Sequence, residues 1–291
     1  MRLGATFPQT EIGSDPAAVR DFAQAVEGSG YDYLLIYDHV LGADPTKHDL
    51  SGPYTHQTMF HEPFVLFGYL AGLTQRIDLV TGIIILPQRQ TALVAKQAAE
   101  VDVLSGGRLV LGVGIGWNQV EYEALGADFR TRGRRSEEQV RLLRRLWDEE
   151  LVTFEGEFDT VRDAGISPRP GRHIPIWFGG TAPSVLRRVG ALGDGWLPLV
   201  GGTRNEAIAE TLRRFAQIGE HAREAGRNPS ALALVGRGDA GTPLAEQVAD
   251  ARAWEAAGAT HLTLNTMNAG LKTPQQHIDA VAAFADAYRA G

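Results

Sequence analysis

Short apolar runs alternate with longer amphipathic segments along the whole chain. The runs are rich in β-branched residues and continuously apolar, which predicts strands of a parallel sheet that is buried on both faces. There are eight such runs: Arg2–Phe7, Tyr31–Tyr37, Ile77–Leu86, Arg108–Ile115, Ile174–Phe178, Gly195–Leu197, Ala231–Val235 and His261–Leu264.

The segments between the runs carry helix start signals. Ser14 and Asp15 are capping residues before Pro16, which suits a first helical turn. A helix over Ala17–Glu27 can then end at Gly28. Further helical patterns begin near Glu62, Ala92, Arg134, Pro183, Arg204, Pro243 and Pro274.

Eight strand-then-helix units predict an α/β fold of the TIM (β/α)8 barrel type, because eight is the count at which such a parallel sheet closes. We therefore expect one domain over residues 1–291. A doubly wound open sheet is the alternative if Gly195–Leu197 is not a strand. Two stretches, Leu41–His61 and Leu151–His173, are longer than a barrel needs, and such loops are usually functional lids or disordered segments.

Composition narrows the function classes. The chain has 291 residues, 44% of them hydrophobic and 22% charged, and a net charge of −7. This charge leaves no global basic field for nucleic acid or an anionic membrane. The absence of cysteine excludes disulfides, thiolate catalysis and Cys-ligated metal centres. No apolar run approaches the length of a membrane span, and the first residues do not resemble a signal peptide. We expect a cytoplasmic protein.

The residues that follow the strands' carboxyl ends would form the active face of a barrel. This face is rich in glycine and poor in carboxylates, without the strand-end lysine or acid pair of an aldolase or sugar isomerase. Glycine supplies 34 of the 291 residues, about 12% against roughly 7% on average. We expect these glycines to clear backbone for a flat, phosphorylated cofactor; tight packing inside the barrel is the alternative.

One glycine series fails two known nucleotide-binding patterns. The dinucleotide fingerprint would need a third glycine at Trp117, and the series Gly112, Gly114, Gly116 does not open a strand-helix-strand unit followed by a ribose-binding acid. The phosphate-binding P-loop fails because no Gly-Lys-Ser/Thr occurs. What remains is backbone without Cβ at a strand end, where a ring or a phosphate can approach closely.

Two further stretches could bind an anion. Gly179 to Ser184 leads from a strand into a helix whose first turn offers free amides and a hydroxyl, which suits phosphate; a plain turn capped by Thr181 is the alternative. Four arginines could form a collar for an anionic cofactor tail or a surface network with carboxylates: Arg130, Arg132, Arg134 and Arg135.

Four of the eight histidines fall between His39 and His61. His56 and His61 are five residues apart, which does not place two ligands on one helix face, so we expect no metal site. His39 differs from the others because it ends the second strand beside Asp38. There it could donate a hydrogen bond to a ring or an oxyanion.

With these residues in view, the chain resembles the bacterial luciferase-like superfamily of flavin- and deazaflavin-dependent oxidoreductases. Within that superfamily it is most similar to the subgroup assigned to coenzyme F420, a 5-deazaflavin. The family fold is a TIM barrel with an insertion before the fifth strand, here Leu151–His173. The matching stretches are Gly30–His39, Ile77–Pro87, Ala95–Trp117, Pro175–Gly180 and Leu192–Trp196.

The resemblance implies roles for individual residues. His39 and Asp38 would lie beside the cofactor ring as the catalytic pair. A bulge behind the ring, with a non-proline cis peptide expected between the last two residues, would consist of Thr81, Gly82 and Ile83. The cofactor's ribityl chain and phosphate would be lined by Gly114, Ile115, Gly116, Trp117, Phe178, Gly179, Gly180 and Thr181. Members are often dimers, so we also expect a homodimer.

One departure limits the analogy. Trp117 stands where the sugar-phosphate dehydrogenase branch has a glutamate proton donor, which argues against sugar-phosphate oxidation. The nearest acid is Glu121, one helical turn further on. Trp117 suits the wall of a pocket for a small apolar or aromatic substrate. The expected function is F420-dependent hydride transfer; an FMN-dependent monooxygenase and a non-catalytic cofactor-binding protein are the alternatives.

Overall fold

The structure, a computed structural model, describes all residues from Met1 to Gly291. The strands are β1 (Arg2–Thr6), β2 (Tyr33–Ile36), β3 (Asp78–Thr81), β4 (Ile84–Ile85), β5 (Leu109–Gly114), β6 (Val152–Glu155), β7 (Thr160–Ala164), β8 (Ile176–Gly179), β9 (Gly195–Leu197), β10 (Ala233–Asp239) and β11 (His261–Asn265). The helices are α1 (Pro16–Gly28), α2 (Pro63–Ala71), α3 (Thr91–Leu104), α4 (Gln119–Ala124), α5 (Arg132–Asp148), α6 (Pro183–Leu192), α7 (Arg204–Glu224), α8 (Leu244–Ala256) and α9 (Pro274–Ala290).

Eight parallel strands close into a barrel. Their order is β3-β2-β1-β11-β10-β9-β8-β5, and β5 pairs back to β3. The first and last strands are neighbours, with Gly4 in register with Thr263. The TIM barrel prediction is confirmed, and the open doubly wound sheet is wrong. Gly195–Leu197 is a strand with the predicted bounds because it pairs on both sides, to β8 and β10.

Three local predictions need correction. The predicted third strand breaks into β3 and β4, because the chain bulges at Gly82 and Ile83, whose peptide bond is cis as the family resemblance implied. The predicted seventh strand begins later, at Ala233, because Pro229–Ala231 form a 3-10 turn capped by Asn228. It then continues to Asp239. The insertion before β8 contains an antiparallel hairpin, β6 and β7, that the pattern had not revealed.

Barrel closure explains part of the glycine excess. The inside of the barrel is filled by bulky side chains, and neighbouring strands carry glycine where these side chains lie against them. A Cβ on Gly4 would come within 2.1 Å of the Tyr33 ring, and one on Gly195 within 2.5 Å of Trp177. These glycines are therefore required by packing inside the barrel. Most of the remaining core lies outside the barrel, between the strands and the helices.

None of the helices combines the length and the apolar character that a membrane crossing requires.

Candidate active site

His39 stands at the barrel mouth, held from behind by a buried glutamate. It follows β2 after Tyr37 and Asp38, and its side chain is only 9% exposed. Its Nδ1 lies 3.1 Å from Oε2 of Glu121 on α4, whose side chain is completely buried. Helix α4 begins there because the Asn118 side chain accepts hydrogen bonds from two backbone amides of its first turn. Glu121 therefore faces the site, which the sequence had left open.

Hydrogen bonds to Glu121 fix the orientation of the His39 imidazole. Oε1 of Glu121 accepts hydrogen bonds from the backbone N–H groups of Val40 and Leu41. An ionised carboxylate can only accept, so the contact with Oε2 requires a proton on Nδ1 of His39. Nε2 of His39 forms no hydrogen bond within the protein. This second ring nitrogen is free to exchange a proton with a ligand.

Aromatic side chains surround the imidazole of His39. The rings of Tyr54, Phe60 and Trp117 lie with their centroids 5.3, 5.0 and 5.4 Å from the imidazole. Tyr54 and Phe60 belong to the loop 41–61, which forms a cavity of about 450 Å³ together with His39. The same loop crosses the Trp117 indole so closely that a Cβ on Gly52 would come within 2.3 Å of it. The long loop is thus a cover for His39.

Asp38 does not face the mouth, although it adjoins His39 in sequence. Its side chain is completely buried and forms an ion pair with Arg89, with 2.7 Å between Oδ1 and Nη2. The other oxygen accepts the backbone N–H of Ile85, just after the bulge, at 2.9 Å. Burial raises the pKa of the Asp38 carboxyl, and Arg89 opposes this shift. The direct catalytic role predicted for Asp38 thus gives way to one of positioning the bulge.

The glycines around the bulge make room for protein side chains. A Cβ on Gly114 would come within 2.6 Å of Ile83, and a Cβ on Gly179 within 2.9 Å of it. The corresponding distance from Gly116 to Ile85 is 2.7 Å, and Gly82 packs equally closely on a leucine of β2. Thr81 is also structural, because its hydroxyl donates to a backbone carbonyl of β5. At these glycines the cleared space is filled by the protein, contrary to our expectation of a space cleared for a cofactor.

The start of α6 has the features of a phosphate site. Gly180 has a φ of +108° and leads into Thr181 and the helix that begins at Pro183. No side chain caps this helix, so the amide of Ser184 is free. The hydroxyls of Thr181 and Ser184 have no partner within the protein. Open amides and hydroxyls at a helix start fit the phosphate of a flavin-type cofactor.

Two predicted lining residues are partly engaged within the protein. Phe178 is 2% exposed and packs in the core between barrel and helices. Ile115 is half-buried, and its carbonyl accepts the Tyr122 hydroxyl at 2.7 Å.

Most of the arginine collar is engaged within the protein. Arg132 stacks on Phe129 with 3.7 Å between its guanidinium carbon and the ring centroid. Arg134 pairs with Glu157, and Arg135 donates to the carbonyl of Arg89. Only Arg134 therefore shows the predicted pairing with a carboxylate, and Nε of both Arg132 and Arg135 is buried without a partner. The histidines of the loop do not assemble with other ligand types, since no group of three or more potential metal ligands occurs.

The chain is similar to known proteins along nearly its whole length. The profile of the luciferase-like monooxygenase family matches residues 2–290. An F420-dependent glucose-6-phosphate dehydrogenase of Kineococcus radiotolerans is 34% identical over 203 residues, which are 68% of this chain and 56% of that longer protein.

Two solved structures share the fold. An F420-dependent secondary alcohol dehydrogenase, in complex with an F420-acetone adduct, has a TM-score of 0.75 at 20% identity, over 96% of this chain and 98% of that chain. A monooxygenase from Streptomyces bottropensis has a TM-score of 0.78 at 18% identity, over 98% of both chains. At these identities the two structures support the architecture alone.

Proposed function

We propose that this chain, which belongs to the luciferase-like monooxygenase family, is an F420-dependent oxidoreductase that transfers a hydride between the deazaflavin and a small organic substrate. The observation that carries the proposal is the hydrogen bond between His39 and Glu121, which leaves Nε2 free among the aromatic rings that cover His39. Similarity to an F420-dependent dehydrogenase over two thirds of the chain supports the choice of cofactor.

In this reaction the protein itself binds and orients the cofactor and the substrate, and it transfers one proton. When bound, the deazaflavin supplies or accepts the hydride. Thr181 and Ser184 would hold its phosphate at the start of α6, and the bulge at Ile83 would back its ring. His39, with its proton on Nδ1, can accept a substrate hydroxyl proton at Nε2 as hydride leaves the adjacent carbon. In the reverse direction the imidazolium returns that proton to the carbonyl oxygen.

The aromatic cover completes the arrangement. Tyr54, Phe60 and Trp117 surround the imidazole and would exclude water from the reacting atoms, which strengthens electrostatic interactions there. Trp117 occupies the place of the glutamate expected in sugar-phosphate dehydrogenases. The proposal therefore covers small substrates with an apolar or aromatic body rather than sugar phosphates.

Binding and turnover test the proposal separately. Purified protein is titrated with F420 and with FMN, and reduced F420 is then mixed anaerobically with enones, aldehydes and ketones. We expect micromolar binding of F420 and substrate-dependent oxidation of its reduced form. His39→Ala should slow turnover far more than it weakens F420 binding. Micromolar binding of FMN with none of F420 would favour the alternative, an FMN-dependent monooxygenase, whose signature is substrate-dependent oxygen consumption with reduced FMN.

We also propose that the protein is a homodimer. Helices α2 and α3 expose apolar side chains next to each other: Val65 is 72% exposed, Tyr69 43% and Leu93 51%. Analytical ultracentrifugation should show a dimer that the double variant Val65→Glu/Leu93→Glu converts to a monomer. Leu199→Glu, at a leucine that is 68% exposed elsewhere, is the control and should leave the dimer intact.

A further inference from the structure

Arg237 points into the barrel mouth from the strand opposite the bulge. Side chains alternate along β10, and Val235 belongs to the cluster inside the barrel. Arg237 shares this face, and it is in register with Thr263, whose hydroxyl bonds the inward-facing Tyr33 at 2.6 Å. The intervening Gly236 faces outward, since a Cβ there would come within 2.8 Å of Trp254 on α8. The guanidinium of Arg237 therefore lies on the inner wall of the barrel.

This guanidinium forms no hydrogen bond or ion pair within the protein, and it is exposed. The carboxylates at the mouth are already engaged: Asp38 and Glu62 pair with Arg89, and Glu121 with His39. Asp239, the next inward position on β10, accepts the backbone N–H of Gly241 at 2.9 Å. An open arginine among engaged carboxylates leaves a positive charge available to a ligand.

Arg237 and the aromatic cover share one space. Tyr54 belongs to the aromatic cover of the mouth into which Arg237 points; burial raises the pKa of its hydroxyl, and Arg237 opposes this shift. Tyr54 in turn contacts His39 edge-on. Across the barrel, β10 stands three or more strands from β3 and β5, which carry the bulge. A substrate lying between the bulge and β10 would thus meet His39, the aromatic rings and then Arg237.

We propose that Arg237 binds a carboxylate of the substrate, so that the substrate class is a flat, apolar molecule carrying a carboxylic acid. The planar fork of a guanidinium matches a carboxylate with two parallel hydrogen bonds. The aromatic rings around His39 would pack on the apolar body. This inference rests on the proposed hydride-transfer function and adds the chemical group that selects the substrate.

The cofactor is the other possible source of an anion at Arg237, since its tail carries phosphate and carboxylates. The cradle at Thr181 and Ser184 follows β8, which is separated from β10 by β9. We assign the cofactor phosphate to that cradle and the substrate carboxylate to Arg237. Separate measurements of cofactor affinity and substrate KM distinguish the two sources.

The test uses the F420-loaded enzyme and a matched substrate pair, cyclohex-2-en-1-one and 3-oxocyclohex-1-ene-1-carboxylate. The wild type should show a KM for the carboxylate roughly 10- to 100-fold lower than for the neutral enone, the range of a charge-assisted hydrogen-bonded pair. Arg237→Met should abolish this preference and leave the KM of the neutral enone and the F420 Kd within about threefold. Arg237→Lys should retain part of the preference for the carboxylate. The control variant Arg162→Met, at an exposed arginine of the hairpin, should retain all of it.

Other outcomes would overturn the inference. A wild type without preference for the carboxylate, or an Arg237→Met variant that keeps it, removes Arg237 from substrate binding. A tenfold weaker F420 Kd in Arg237→Met with the preference intact assigns the arginine to the cofactor tail. If neither compound oxidises reduced F420, the proposed function fails with these compounds, and calorimetry on the loaded enzyme decides the inference: tighter binding of the carboxylate that Arg237→Met abolishes supports it, and equal affinities refute it.

Discussion

Replacing Glu121 by glutamine tests the central element of the site with a minimal change of shape. Three N–H donors converge on this carboxylate: Nδ1–H of His39 at 3.1 Å, and the backbone N–H groups of Val40 and Leu41. A glutamine side chain has one accepting oxygen and one donating NH2 group. However it rotates, at least one donor faces another donor as long as His39 keeps its proton on Nδ1. The least costly arrangement keeps the oxygen on the two backbone amides and turns the NH2 toward His39.

This arrangement forces His39 into the other tautomer, with its proton on Nε2. Nε2 can then no longer accept the substrate proton, so kcat for oxidation should fall by roughly 10²- to 10⁴-fold, the usual contribution of a general base. Loss of one charge-assisted hydrogen bond costs about 1.5–3 kcal/mol, which corresponds to a Tm lower by roughly 2–5 °C in a chain of this size. The F420 Kd should stay within about threefold, since Glu121 does not face the phosphate cradle.

The assay combines steady-state kinetics, F420 fluorescence titration and 15N NMR of the imidazole, which reports the tautomer directly. Glu123→Gln is the matched control, because Glu123 lies on the same short helix, is exposed and bonds only Gln119. It should leave kcat and Tm unchanged. If Glu121→Gln lowers Tm but keeps kcat within about threefold, Glu121 is merely structural and the proposed role of His39 is refuted.

Three further perturbations probe the scaffold. Arg89→Met should destabilise the fold by about 3–5 kcal/mol, since it leaves the buried Asp38 unpaired. Measured by urea unfolding, the double variant Asp38→Asn/Arg89→Met should recover part of this loss. Absence of any recovery would contradict the pairing. Gly114→Ala should cost about 1–3 kcal/mol through its contact with Ile83, and the same substitution should cost less in an Ile83→Ala background, which lacks both clashing side-chain atoms. Burial lowers the pKa of His261 to about 4 from its unfolded value of roughly 6.5. The unfolded chain therefore binds the extra proton, and this histidine should lower stability by up to about 3 kcal/mol as pH drops from 6.5 to 4. His261→Gln should remove this part of the slope and leave in place the part due to the buried His277, whose pKa burial also lowers.

The candidate site was predictable where chemistry coincides with a strand end. His39 follows the second apolar run, and Gly180, Thr181 and Ser184 open a helix after the fifth, so both could be named from the sequence. Their partners could not. Glu121 lies 82 residues from His39, and no local signal shows which face of its short helix points to the mouth. Tyr54 and Phe60 lie in a loop whose path the pattern does not fix.

The sequence by itself determined the architecture, because eight apolar runs alternating with amphipathic segments have few ways to bury both faces of a parallel sheet. It did not determine which side chains meet, because that depends on the stagger of the strands once the barrel has closed. Closure places Ile83 against Gly114 and Gly179, which explains those glycines by packing. Register along β10 likewise turns Arg237 inward, in a strand that extends past its predicted end.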